Sequence, residues 1–168
     1  MKCFKYDCFK RHNCHQCFDT YWIFASFRTI IPRSHYTSKV FDELSELSRF
    51  GVDISPITQA NWLKISSPKQ TPLLSHLLDI LDEGEAHAIA LAIELKSDLL
   101  IIDEYEGRKM ATQLKLQITG VGGILVRAKL RSFIPSVKLL LDLMRSNANF
   151  YLSEKVYSEI LRQANELS

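Results

Sequence analysis

The chain has 168 residues, of which 46% are hydrophobic and 24% are charged, and its formal net charge is only +2. This length favours a single domain with a sizeable buried core, and the composition is that of an ordinary soluble globular protein. No apolar run is long enough to cross a bilayer and the N-terminus lacks the pattern of a signal peptide, so we expect a cytoplasmic protein without membrane contacts.

Charge is unevenly distributed along the chain. Residues 78–104 hold eight acids and one lysine, whereas residues 105–145 hold eight bases against Glu106 and Asp142. An acidic pocket beside a basic surface suits a metal-dependent enzyme that acts on a polyanion. Solvated faces of surface helices explain the excess of bases in residues 105–145 equally well.

All four cysteines fall in the first 17 residues, which show neither a helical nor a strand period. They are Cys3, Cys8, Cys14 and Cys17, and His12 and His15 lie among them. The five-residue gap between the two cysteine pairs is shorter than the dozen or more residues usual in zinc modules. Disulfides are disfavoured in a reducing compartment. A zinc site is therefore a third alternative that the spacing does not favour.

Strand and helix patterns begin after residue 26 and alternate from there. The first half predicts a strand at Arg28–Ile31 stopped by Pro32, a helix over 34–48, a short helical segment over 58–61, a strand at Trp62–Ile65 and a helix over 73–81. The second half predicts a helix over 81–92, a strand at Leu99–Ile102, a helix over 107–114, a strand at Gln117–Thr119, and helices over 122–131, 135–147 and 153–165, the last with Ser153 as N-cap. Such alternation predicts an α/β fold with a parallel sheet and right-handed crossovers.

Carboxylates cluster around the helix and strand in the middle of the chain. The helix over 81–92 has acids in its first turn, where the helix dipole favours negative charge. Leu99–Ile102 is a continuous apolar run, as expected for a buried parallel strand, and Asp103 and Glu104 follow it. Because sites in open α/β sheets lie at the carboxyl ends of strands, this cluster predicts a site for a hard divalent cation.

Several ordered motifs resemble a PIN-like family of short prokaryotic proteins, over roughly residues 27–167. In chain order the motifs are Gly84-Glu85-Ala86-x-Ala88-Ile89-Ala90-Leu91-Ala92, Leu99-Leu100-Ile101-Ile102-Asp103-Glu104-x-x-Gly107-Arg108, Thr119-Gly120-x-x-Gly123-Ile124-Leu125, Ala128-Lys129, Ile134-Pro135-Ser136-Val137 and Leu152-Ser153-x-x-x-Tyr157. The resemblance implies a PIN-like three-layer α/β fold, in which helices flank a central parallel sheet and further helices follow at the C-terminus.

The resemblance also carries expectations about function. Members are described as nucleic-acid-binding or VapC-like toxin proteins, and PIN domains in general are magnesium- or manganese-dependent ribonucleases. It therefore implies a Mg²⁺- or Mn²⁺-dependent endoribonuclease that acts on RNA and, as a toxin, binds a cognate antitoxin protein. The alternative is a non-catalytic protein that binds nucleic acid or the antitoxin with the same fold. A homodimer is left open.

Three acids of this chain match acidic positions of the family. They are Glu43 in Val40-Phe41-Asp42-Glu43-Leu44, Glu85 in the Gly-Glu-Ala motif, and Asp103 at the end of the strand. The resemblance makes these three the candidate catalytic residues and metal ligands, with Glu104 as a second choice beside Asp103. His87 stands where the family usually has a second glutamate.

Each of these residues also has a purely structural explanation. Glu43 fits an exposed helix acid, Glu85 a partner of the helix dipole, and Asp103 a turn residue at a strand end. Four bases are candidate contacts to the nucleic acid, namely Arg108, Lys109, Arg127 and Lys129. Arg108 could instead pair with Glu104 one helical turn away.

The first strand of a PIN domain, which normally ends in its first acid, is missing from residues 1–25. Neither Asp7 nor Asp19 follows a buried strand at a suitable distance. Translated one nucleotide later, the codons of residues 11–13 can encode Asp-Thr-Thr, which suggests a frameshift upstream of Phe27. We therefore predict an atypical segment over 1–26, disordered or frame-shifted, and a PIN-like domain over 27–168. Without this first acid, catalysis would be impaired.

Overall fold

A computed structural model describes residues 34–48, 55–148 and 151–167 of the chain. Its strands are parallel and alternate with helices, which confirms the expected α/β class. The described elements are β1 (Ser34–Thr37), α1 (Ser38–Ser48), α2 (Ser55–Thr58), β2 (Leu63–Ser66), α3 (Pro72–Leu78), α4 (Glu83–Glu94), β3 (Leu100–Ile101), α5 (Tyr105–Gln113), β4 (Ile118–Thr119), α6 (Val121–Leu130), α7 (Val137–Ala148) and α8 (Glu154–Gln163).

The described strands form two parallel pairs. β1 pairs with β2, with Ser34 opposite Leu63, and β3 pairs with β4, with Leu100 opposite Ile118. Helices lie in the chain between the partners of each pair, as parallel pairing requires. The β3–β4 ladder extends to Ile102, whose amide donates to the Thr119 carbonyl at 2.9 Å. The two strands therefore end side by side, and the acids after Ile102 begin at this edge.

The segment 34–48, predicted as one helix, is a strand followed by a helix. β1 ends at Thr37 and α1 begins at Ser38. The Thr37 hydroxyl accepts a hydrogen bond from the Val40 amide at 3.3 Å, which is the contact of a helix N-cap. The helix starts at this cap, and the residues before it pair with β2 instead. The prediction was wrong for 34–37 because the stabilising partner, β2, lies far away in the sequence.

α4 is the central helix of one of the two apolar clusters. The sequence predicts one apolar face through Ala86, Ile89 and Ala90, yet the helix is buried on nearly all sides from Gly84 to Ala92. Small side chains alternate with Ile and Leu there, so α3, α5 and β3 can approach it closely. This central position brings the first turn of α4, with its acids, against the edge where β3 ends.

A second apolar cluster joins the three C-terminal helices. Val121 and Leu125 of α6, Val137 and Leu141 of α7, and Leu161 of α8 are each at most 3% exposed. α8 begins at the predicted N-cap, because the Ser153 hydroxyl accepts a hydrogen bond from the Val156 amide at 3.3 Å. The C-terminal helices thus pack on α6 and hold its N-terminus beside β4.

Several predictions fall on residues outside the described ranges. These are the strand at Arg28–Ile31, the cysteine-rich segment with its zinc alternative, and the frame-shifted origin of residues 1–26. The short helix predicted over 58–61 is found slightly earlier, at Ser55–Thr58. Across the three described ranges, none of the helices combines the length and apolar character needed to span a membrane.

Candidate functional site

Three carboxylates converge where the first turns of α4 and α5 meet. One oxygen from each of Asp82, Glu85 and Glu104 lies within 4.8 Å of the other two. Two oxygens on opposite sides of a Mg²⁺-sized ion are about 4.2 Å apart, so small side-chain rotations would bring the three within reach of one ion. Oxygen-only donors are also what Mg²⁺ and Mn²⁺ prefer. The donor set therefore fits a hard divalent cation.

The starts of two helices hold these acids in place. Asp82 is the N-cap of α4, and its Oδ1 accepts a hydrogen bond from the Glu85 amide at 2.8 Å. Glu104 occupies the N-cap position of α5, but its side chain makes no capping hydrogen bond to that helix. The positive ends of both helix dipoles lie at the cluster, which offsets part of the repulsion among the carboxylates.

Gly107 leaves the space that the Glu85 carboxylate occupies. Glu85 is only 3% exposed, although it is an acid. A Cβ atom at Gly107 would lie 2.6 Å from Glu85 Oε1 and 2.6 Å from Ile102 Cδ1, far inside van der Waals contact. A glycine in the first turn of α5 is therefore what lets this helix approach the buried acid so closely.

Asp103, predicted as a ligand, contacts a different element. Its Oδ1 and Oδ2 lie 3.1 and 3.3 Å from the Val121 amide, which donates to them from the start of α6. The residue keeps solvent contact, yet the protein around its carboxyl group displaces part of the hydration. This desolvation raises the pKa of Asp103; the Val121 amide and the positive charge of Arg108 act in the opposite direction, and the negative charge of Glu104 adds to the rise.

Glu43 belongs to α1, a helix that packs against α4. The Lys39 ammonium of α1 lies 2.8 Å from the Glu83 carboxylate, so the start of α1 is beside the first turn of α4. Glu43 follows Lys39 by about one helical turn. Its side chain lies outside what the structure describes, and its role as a ligand stays a prediction.

His87 is half-buried on α4 and is not one of the three converging residues. Its Nδ1 is buried and makes no hydrogen bond to the described part of the chain. Burial lowers the pKa of His87; Glu83 opposes this effect and Lys39 adds to it. The imidazole is therefore neutral near pH 7.

The four basic residues predicted to contact nucleic acid differ in their contacts within the protein. Arg108 donates from Nη1 to the Ile102 carbonyl at 2.8 Å. Lys109 is exposed and lies 3.6 Å from the Glu106 carboxylate, and Arg127 is exposed on α6. The Lys129 ammonium contacts the Pro135 carbonyl and lies 3.3 Å from a carboxylate oxygen of Glu166. Arg108 and Lys129 thus contact backbone carbonyls, whereas Lys109 is exposed beside the exposed Glu106 and Arg127 is exposed on α6.

Glu166 binds the start of α7 with its carboxylate. It accepts hydrogen bonds from the amides of Val137 and Lys138 at 2.9 and 2.8 Å and from the Ser136 hydroxyl at 2.8 Å. Burial disfavours the charged form, but these hydrogen bonds together with Lys129 outweigh it and lower the pKa of Glu166. The C-terminal residues are thereby attached to the junction between α6 and α7.

Glu166→Gln should lower the free energy of unfolding by about 1–3 kcal/mol at pH 7, because charge-assisted hydrogen bonds to a largely buried group are lost. The folded-state pKa lies below the ordinary value of 4.5, so the stabilisation is present above that pH and is lost as the pH falls through the folded value. Urea unfolding of both proteins between pH 7 and pH 3 measures the difference. An equal difference at both ends of this range would contradict the account.

Sequence reasoning missed Asp82 as a member of the site. A signal was present, since an acid followed three residues later by Glu85 at the start of a helix resembles a capping box. That pattern is usually interpreted as helix capping alone. Only the approach of α5, which brings Glu104 to the same point, shows that the capping acid is also part of a cluster.

Comparison with known proteins identifies the family. No curated protein and no solved structure matches the chain. A family described as "PIN domain" matches residues 25–166, a range that contains the acidic cluster, both strand pairs and all three C-terminal helices. Since this match spans far more than half of the sequence, the chain belongs to the PIN-domain family.

Proposed function

We propose that this PIN-domain protein is a Mg²⁺- or Mn²⁺-dependent endoribonuclease and the toxin component of a toxin–antitoxin pair. The observation that carries the proposal is the convergence of three carboxylate oxygens within 4.8 Å at two helix N-termini, in a chain of this family. PIN domains generally use divalent metal ions, and the donor set here suits such an ion. RNA and an antitoxin protein are the proposed partners.

The residues of the cluster have separate tasks in this proposal. Glu85 is buried against Gly107 and cannot be displaced easily, so it is the anchoring ligand. Asp82 and Glu104 complete the set described by the structure, and Glu43 is a further ligand by family resemblance. A cation bound there would activate water and neutralise charge that develops on a phosphodiester. The exposed Arg127 and Lys109 are suited to contact phosphates of the RNA.

Cleavage of a mixed RNA pool by the purified full chain tests the proposal. We expect fragments to accumulate with Mn²⁺ or Mg²⁺ and to be absent when EDTA is in excess. Single-stranded DNA of matched length serves as the control for nucleic-acid type. If RNA remains intact with both ions over a wide range of protein concentration, the ribonuclease proposal is wrong.

A non-catalytic binding protein is the second candidate. It is favoured by one observation in the sequence, because residues 1–25 lack a recognisable strand that ends in the first acid of a PIN domain. Cation affinity depends on the number and charge of the ligands, so a missing acid weakens the site. Retention of RNA in a gel-shift assay without any cleavage would support this alternative over the enzyme.

A further inference from the structure

We infer that Glu104, rather than Asp103, supplies the metal ligand after β3, and that Asp103 is a positioning residue that fixes the strand end for it. The inference rests on the proposed function, since it concerns which acid serves the same cation site. The sequence places both acids at the same strand end and cannot separate them. The structure gives their side chains different contacts.

Asp103 serves as the missing cap of α6. Gly120 is the N-cap residue of that helix and has no side chain with which to bind the first amides. Asp103 supplies the acceptor from another element, with its two oxygens 3.1 and 3.3 Å from the Val121 amide. A Cβ atom at Gly120 would collide with Asp103 Oδ1, so the glycine also provides the space for this contact. Both oxygens of Asp103 are thus directed at α6.

Dipolar and positively charged groups of the protein offset part of the charge of Asp103. Arg108 is held beside it by the hydrogen bond from Nη1 to the Ile102 carbonyl, at 2.8 Å. The guanidinium acts on Asp103 as an opposite charge, and the N-terminus of α6 adds the positive end of a helix dipole. Asp103 therefore has protein partners for its charge without a cation.

The Glu104 carboxylate lies elsewhere, in the acidic cluster, although it remains close enough for its charge to act on Asp103. Glu104 has φ −71° and ψ 143°, which is polyproline II geometry, and successive side chains in that geometry point in different directions around the chain axis. Its carbonyl accepts the first hydrogen bond of α5, from the Arg108 amide at 3.0 Å, while its carboxylate lies with Glu85 and Asp82. The residue before Glu104, Asp103, is hydrogen-bonded to α6, and α5 begins directly after Glu104. These two connections leave the Glu104 side chain directed at the cluster.

Calorimetric titration of the full-length protein with Mn²⁺ tests this division of roles. Glu104→Gln removes a ligand charge, so Mn²⁺ affinity should fall at least tenfold. Asp103→Asn keeps an oxygen that can accept from Val121, so affinity should stay within about threefold of wild type. Asp103→Ala removes the cap, so both affinity and melting temperature should fall. Glu106→Gln, an exposed acid two residues from Glu104, is the matched control and should change neither.

The outcomes separate the inference from the proposed function. If wild type binds Mn²⁺ and Asp103→Asn loses as much affinity as Glu104→Gln, Asp103 is a ligand and the inference fails while the cation site stands. Wild-type Mn²⁺ affinity in Glu104→Gln would also overturn the inference. If wild type binds no Mn²⁺ at all, the proposed function fails and the inference with it. The melting temperature of the metal-free variants checks the cap, since Asp103→Ala should melt below Asp103→Asn.

Discussion

Glu85→Gln is expected to reduce Mn²⁺-dependent RNA cleavage at least a hundredfold while leaving the metal-free protein folded. The side chain is 3% exposed and lies against Gly107, so glutamine keeps its shape and its place. What is lost is a carboxylate that can present negative charge to a cation bound in the cluster. A site made of carboxylates holds a divalent ion through its charge, and removal of one of three charges weakens binding and catalysis together.

Replacing an acid that serves only the structure usually lowers the free energy of unfolding. We expect no such loss for Glu85→Gln. Negative charge shared by three carboxylates within 4.8 Å is unfavourable in the metal-free protein, and replacing one of them by an amide removes its contribution. We expect the free energy of unfolding to change by less than about 1 kcal/mol, or to increase. Thermal unfolding in EDTA, beside a fluorescence assay of RNA cleavage, measures both effects.

Glu83→Gln is the matched control for this prediction. Glu83 lies in the same first turn of α4, but it is exposed and pairs with Lys39. Cleavage should therefore stay near the wild-type rate. Equal loss of cleavage in both variants would mean that the general acidity of the helix start matters, and that the buried position of Glu85 does not.

Leu141→Ala should lower the free energy of unfolding by about 2–5 kcal/mol, because it removes a large buried side chain and leaves a cavity that its neighbours fill only in part. Leu141 is 0% exposed and lies in the cluster that joins α6, α7 and α8. Since α6 begins beside β4 and is capped by Asp103, loosening this cluster should also weaken Mn²⁺ binding. Chemical denaturation and Mn²⁺ titration of the variant measure the two effects.

The control for Leu141 is Leu139→Ala on the same helix. Leu139 is 55% exposed, so its truncation should change stability by about 0.5 kcal/mol or less. A destabilisation of similar size at both positions would contradict the assignment of Leu141 to a buried core. It would instead indicate that helix propensity or residual structure in the unfolded chain determines the loss.

Local sequence patterns predicted the elements that carry the candidate site but not every residue of the acidic cluster. The apolar run before Asp103 and the small and apolar residues of α4 predict a strand and a helix with a packed face through local spacing alone. Glu85 became a candidate through the family resemblance. β1 was missed because its stability comes from pairing with β2, about 30 residues later. Tertiary contacts of this kind override local propensity.

The choice between neighbouring acids was also beyond the sequence. Asp103 and Glu104 are adjacent and chemically similar, and only the position of α6 shows that Asp103 is the one hydrogen-bonded to that helix. Asp82 has the sequence pattern of an ordinary helix cap and acquires a second role only through the approach of α5. The part of a site that depends on where separate helices meet therefore requires the fold.

A calorimetric titration of the metal-free full-length protein with Mn²⁺ is the most direct test of a cation site at the acidic cluster. We expect saturable binding of Mn²⁺ that requires Glu85 and Glu104, because their oxygens and that of Asp82 converge in the acidic cluster. It also predicts that bound Mn²⁺ raises the melting temperature, as any ligand of the folded state does. Absence of saturable binding in the wild type, or unchanged binding in Glu85→Gln, would contradict it.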